Sequence, residues 1–229
     1  MNIKVLASGS TGNAYRIDDG KTALLIECGI PYKKLQIALG FKVSSIDACL
    51  ITHEHMDHAK AWKELLRAGV SIYSSQGTKD ALGETSHSFK VLKAEEKATI
   101  GTFIVMPFTV VHDAEEPCGY LIKSMVTNES LVFITDTVYS PHVFKDVEYY
   151  MVECNYVQEI LDSKGLDVNF RNRIRMAHMS LETVLEFFSK TDLSKTKEIY
   201  VMHLSDNNSD EELIKTEIQK ATGKRVIIC

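Results

Sequence analysis

The sequence predicts an α/β (α+β) fold in which two β-sheets pack face to face and helices cover both outer faces. Three observations predict it. Short runs rich in Val, Ile, Leu and Tyr recur along the whole chain. Amphipathic helical stretches lie between these runs rather than at one end, and two half-apolar sheets need each other and a helical cover to bury their faces. No repeat, low-complexity tract or Pro/Gly/Ser linker interrupts the 229 residues, and the four prolines are dispersed, so a single domain over 1–229 is expected.

Strands are expected at about 2–7, 14–18, 22–28, 47–52, 70–73 and 98–106, and again near 108–112, 118–124, 130–135, 148–153, 197–202 and 224–228, where β-branched and aromatic residues cluster. The stretch "DHAKAWKELLRA" (57–68) places Trp62, Leu65 and Leu66 on one helical face. "SLETVLEFFSK" (180–190) offers Ser180 as N-cap, with Leu181, Val184, Leu185 and Phe188 in a 3.6-residue pattern. "SDEELIKTEIQKA" (209–221) has Ser209 and Glu212 in capping-box register.

Composition narrows the function classes. A hydrophobic content of 45% and a charged content of 25% suit a compact globular chain. No run approaches the ~20 apolar residues of a membrane span, and "MNIKVLASGS" has too short an apolar run for a signal peptide, so a cytoplasmic protein without a membrane partner is expected. The five cysteines are scattered without a C-x-x-C pair, which suits reduced thiols rather than zinc ligands. A net charge of -5 argues against nonspecific coating of nucleic acid while allowing one local cationic site.

The chemistry concentrates in "ITHEHMDHAK" (51–60), where His53, His55, Asp57 and His58 fall between a strand end and a helix start. In extended chain His53 and His55 point to one side. In the helix Asp57 and His58 diverge by roughly 100°. One tetrahedral shell accommodates this set poorly, and two neighbouring ions are the simpler geometry. Further donors are sparse: His112, Asp136 and His203 each follow an apolar run. Any one of them alone is equally well explained as a turn residue, but their recurrence at strand ends suggests one rim. His87 and His142 have no such setting and read as surface residues.

His53-x-His55-x-Asp57-His58, followed in order by His112, Asp136 and His203, resembles the metallo-β-lactamase superfamily over nearly the whole chain. "SGSTGNAY", "HDAEEPCGY", "AHMS" and "HLSDNN" are similar to its WalJ/YycJ-like subgroup of DNA exonucleases. The resemblance implies a four-layer αββα sandwich with His53, His55 and His112 on one metal, Asp57, His58 and His203 on a second, and Asp136 bridging. It also places His178, in "AHMS", beside the leaving group, so that Asp57 and His178 are the expected catalytic side chains. Departures occur at Glu27, where the family often has Asp, at Tyr156 and Val157, where the subgroup tends to have His and Asp, and at Leu181, where it tends to have Asn.

Two divalent ions per chain would leave a locally cationic floor and an activated hydroxide, suited to a phosphodiester. Imidazole and carboxylate ligands without thiolate suit zinc first and manganese next. The ligand set alone does not separate lactam, thioester and phosphodiester hydrolysis. Phosphodiesters are favoured by Asp57, by Arg171, Arg173 and Arg175 just before His178, and by a Ser10–Asn13 loop whose amides suit phosphate. For the arginines a solvated face is the competing explanation; for the loop it is an ordinary strand turn. Arg173, Arg175, Ser10 and Asn13 are the expected substrate contacts. The short stretches from His112 to Asp136 and from Asp136 to His178 leave no room for a tRNA-gripping arm or a cap domain. DNA or a nucleotide phosphodiester is the expected substrate. The alternatives are a small-molecule or cyclic-nucleotide phosphodiesterase, another ester or thioester hydrolase of the fold, and a non-catalytic metal-stabilised module.

Overall fold

A computed structural model describes all residues 1–229, which form two compact units. The first comprises Met1–Thr109 and Ala114–Glu129; the second comprises Val110–Asp113 and Ser130–Cys229.

The first unit holds strands β1 (Asn2–Ala7), β2 (Ala14–Asp18), β3 (Ala23–Ile26), β4 (Ala48–Leu50), β5 (Ser71–Ser74), β6 (Phe89–Val91), β7 (Ala98–Ile100), β8 (Phe103–Thr109) and β9 (Cys118–Ser124). Its helices are α1 (Tyr32–Ala38), α2 (Met56–Ala59), α3 (Trp62–Arg67) and α4 (Gln76–Ala81). A six-stranded sheet runs in the order β1-β2-β3-β4-β5-β6, antiparallel across β1–β3 and parallel across β3–β6. Its helix-covered face buries Leu25, Cys49, Ile51, Leu65 and Ile72, with Trp62 edge-on to Phe89 at 5.9 Å. Strands β7, β8 and β9 form an antiparallel run.

The second unit holds β10 (Ser130–Ile134), β11 (Tyr149–Glu153), β12 (Glu198–Met202) and β13 (Arg225–Ile228), with α5 (Gln158–Ser163), α6 (Val168–Arg175), α7 (Leu181–Lys190) and α8 (Glu211–Thr222). The four strands are parallel. Strand β11 is buried along its whole length, as expected of an inner parallel strand covered on both faces. Phe187 and Phe188 of α7 meet Tyr150 edge-on at 6.1 and 5.7 Å. The register aligns Ile134, Val152 and Val201, so β10, β11 and β12 end at one level. Asp136, Glu153 and His203 emerge there, at the carboxyl ends where open parallel sheets place their ligands.

Several local expectations are corrected. The run 98–106 is a hairpin, β7 to β8, turned by Gly101 at φ 57°. No separate strand covers 108–112: the β8–β9 ladder ends at Thr109 opposite Cys118, and Val111 N–H donates instead to Thr137 Oγ1 at 3.0 Å. The helix over 57–68 is two helices, because the Cys28 carbonyl takes the Ala61 N–H at 2.9 Å and interrupts the helical ladder. Ser180 caps α7 as expected, accepting from Thr183 N–H. Asp210 rather than Ser209 caps α8, accepting from Leu213 N–H at 2.9 Å. Strand β6 and helices α1, α4, α5 and α6 are additional to the sequence reading. No helix is long and apolar enough to cross a membrane.

Candidate metal centre

In the first unit the four-residue donor cluster is assembled by backbone lacing. Asn13 N–H donates to the Asp57 carbonyl at 2.8 Å, Cys28 N–H to the His58 carbonyl at 2.7 Å, and Gly29 N–H to the Asn13 carbonyl at 2.8 Å. This approach requires glycine: a Cβ on Gly29 would stand 1.6 Å from the Asp57 carbonyl oxygen. The His53 ring lies 4.7 Å from that of His55 and 4.2 Å from that of His58. Asp57 Oδ2 lies 3.3 Å from His58 Nε2, and the ligand atoms of this pair group apart from those of His53 and His55. Thr52 Oγ1 sits 2.9 Å from His53 Nδ1 and orients that ring.

Glu27, where the superfamily often has Asp, stands beside this cluster. It follows β3 in left-handed backbone, φ 63°, and is wholly buried. One carboxylate oxygen accepts from Thr52 N–H at 3.3 Å and the other lies 3.7 Å from His58 Nδ1. Burial raises its pKa, against the hydrogen bond and charge of His58. Such a partner on the second ring nitrogen is what orients a ligating histidine.

In the second unit Asp136 and His203 both adopt left-handed backbone, φ 45° and 53°, immediately beyond β10 and β12. Non-glycine residues are held there only when their surroundings demand it, and such residues cluster at functional sites. Asp136 Oδ1 lies 3.6 Å from His203 Nδ1, and Asp136 Oδ2 lies 3.6 Å from His112 Nε2. His112 Nδ1 donates to the Ala177 carbonyl at 3.0 Å, which leaves Nε2 as the nitrogen that could face a metal. Burial pushes the His112 pKa down, against the neighbouring carboxylates, and favours the neutral imidazole a metal requires.

Glu153 and Asn155 were not singled out by the sequence reading as site residues. Glu153 is fully buried at the end of β11; one oxygen accepts from Thr137 and Met179 N–H groups at 2.7 and 3.2 Å. The other lies 3.0 Å from His178 Nδ1 and 3.7 Å from His203 Nδ1. The Asn155 side-chain amide donates to the His203 carbonyl at 3.0 Å. His178 stacks on His203 with ring centroids 5.3 Å apart. The signal was present: "YYMVE" ends an apolar strand on a carboxylate, as "LVFITD" does.

The donor chemistry fits a divalent cation. The candidate ligands are imidazoles and carboxylates, and partners hold the second ring nitrogens of His112 and His58: the Ala177 carbonyl at 3.0 Å from His112 Nδ1 and Glu27 at 3.7 Å from His58 Nδ1. The expected substrate contacts are distributed differently. Ser10 is exposed at a turn. Asn13 is buried, its carbonyl oxygen accepting from Gly9 N–H and the Tyr15 hydroxyl, its amide donating to the Asp57 carbonyl. Arg173 is exposed on α6, whereas Arg171 and Arg175 both pair with Asp162.

Comparison with known proteins matches residues 24–204 to the model of the β-lactamase superfamily domain. An exodeoxyribonuclease WalJ of Streptococcus pneumoniae serotype 2 is 32% identical, over 91% of this chain and 83% of its own length. An exodeoxyribonuclease YycJ of Bacillus anthracis is 28% identical, over 98% of this chain and 90% of its own. Among solved structures, the metallo-β-lactamase fold protein YhfI from Bacillus subtilis superposes with a TM-score of 0.72 at 17% identity, covering 99% of this chain and 95% of that one. The fold class expected from the sequence, the mixed α/β class of metallo-β-lactamase fold proteins, is therefore the one found.

Proposed function

The chain belongs to the β-lactamase superfamily, and from that membership we propose that it is a metal-dependent phosphodiester hydrolase that removes nucleotides from DNA ends, acting as one catalytic domain in the cytoplasm. His53, His55 and His112 would hold one divalent ion, Asp57, His58 and His203 a second, and Asp136 both; zinc is the first choice and manganese the next. When bound, the ions supply an activated water at neutral pH and positive charge facing the phosphoryl group.

The observation that carries the reading is the pair formed by His178 and Glu153. A buried carboxylate accepts the Nδ1 proton of a partly buried histidine, and so leaves Nε2 to take up or deliver a proton. Breaking a phosphodiester expels an alkoxide that needs that proton, a demand that the thiolate of a thioester makes less strictly. Glu153 also stabilises the protonated ring, and Thr137 and Met179 fix the carboxylate in place. The likeness to two exodeoxyribonucleases favours DNA over a cyclic or small phosphodiester.

Elemental analysis of purified protein is expected to give about two transition-metal ions per chain, with bis-aryl phosphodiesters cleaved far better than β-lactams or thioesters. One tight ion and no second site, or the reverse substrate preference, contradicts the proposal.

A further inference from the structure

The second unit contains a cleft of about 310 Å3 that the proposed metal ligands do not use. One wall is the segment after Asp136, where Tyr139 is 50% exposed and Val143 58% exposed beside His142. The other is a single face of α7, made by Thr183, Glu186, Phe187 and Lys190 at helical spacing. Phe187 packs edge-on against Phe144 and Tyr150, at 6.5 and 6.1 Å, and gives this wall its one aromatic ring.

The electrostatics decide what such a cleft takes. Lys190 and Glu186 pair with each other, so the rim has no net charge to offer a phosphate. A flat, neutral ring with polar edges suits it instead: rings and aliphatic groups for its faces, hydroxyls and the ion pair for its edges. The cleft is also tied to the proposed centre. Thr137 Oγ1 accepts from Val111 N–H and donates to the Tyr139 carbonyl at 2.8 Å, while Thr137 N–H is held by Glu153. Tyr139 is three residues from Asp136, a span of at most ~11 Å between Cα atoms, within one or two nucleotides of a phosphate held there.

We propose that this cleft, between Tyr139–Val143 and the Thr183–Phe187 face of α7, is a stacking subsite for one unpaired nucleobase of the DNA strand being degraded. The proposal rests on the DNA reading above. Because stacking uses the face common to every base, the subsite tolerates sequence and requires only that the base be unpaired.

The test compares wild type, Tyr139→Ala and Tyr139→Phe on a single-stranded oligonucleotide and on the same strand with abasic residues at its terminal three positions. Cleavage is followed in manganese- or zinc-loaded enzyme, and binding by fluorescence anisotropy without metal. Tyr139→Ala should weaken binding and raise KM for the natural strand about 5- to 140-fold, the range spanned by one stacked base. Tyr139→Phe should restore both, and the abasic strand should show no sensitivity to either change. Equal effects on both strands, or none, overturn the subsite while leaving the exonuclease reading intact. Tyr139-dependent binding of the natural strand by an enzyme that cleaves no DNA supports the subsite and overturns the exonuclease reading.

Discussion

His178 Nδ1 lies 3.0 Å from a carboxylate oxygen of Glu153, a side chain with no exposure to solvent. The bond keeps a proton on Nδ1 and leaves Nε2 as the nitrogen that gains and gives up the exchangeable one. His178→Ala should retain metal and fold yet lose about 10²–10⁴-fold in turnover on alkyl leaving groups, with much less loss for nitrophenolate, which needs no proton. Glu153→Gln would turn an amide N–H toward Nδ1, enforce the opposite tautomer and reproduce the same leaving-group dependence. A plot of log kcat against leaving-group pKa for the three proteins checks this; parallel lines would remove the proton-donor role.

Asp19 supplies a pH prediction. Burial raises its pKa, but hydrogen bonds from the Thr22 amide, the Thr102 and Ser124 hydroxyls and the Lys21 amide prevail and lower it to about 2. A carboxylate whose pKa is lowered by folding contributes stability that is fully present above its unfolded value and is lost as pH falls through the folded one. Metal-free protein should therefore lose this contribution between about pH 4 and pH 2. Asp19→Asn should be less stable at neutral pH and show a flatter acid limb in denaturant titrations. Identical limbs in the two proteins would contradict the assignment.

The arginines of α6 separate by their partners. Asp162 is shared by Arg171 and Arg175, whereas Arg173 is exposed. Arg173→Ala should weaken binding to long DNA and reduce the slope of log K against log salt by about 0.7–0.9, the release expected for one phosphate contact. Arg175→Ala should do less, and neither should affect a small aryl phosphodiester. Salt titrations of DNA binding decide between this and a purely solvated helix face.

The donors of the proposed centre were legible because ligand-type residues stood where apolar runs end, at His53, Asp136 and His203, and strand ends are visible in composition. What sequence could not supply were long-range bonds. The break between α2 and α3 is made by the Cys28 carbonyl, and the departure of Val111 from the β8 ladder by Thr137 Oγ1. Ser209 and Asp210 are both good caps one residue apart, and only the fold chooses between them. Glu153 escaped notice because a carboxylate ending a strand is usually exposed, and its burial depends on His178 and two amides distant in sequence.

The most direct test of a metal-dependent DNA exonuclease uses end-labelled linear duplex and covalently closed circular DNA with metal-stripped protein, then with the same protein reloaded with manganese or zinc. The expected result is that stripped protein remains folded and inactive, and that reloaded protein releases nucleotides from the linear substrate while the circle survives. Equal attack on the circle, undiminished activity after stripping, or intact linear DNA with both metals would contradict it.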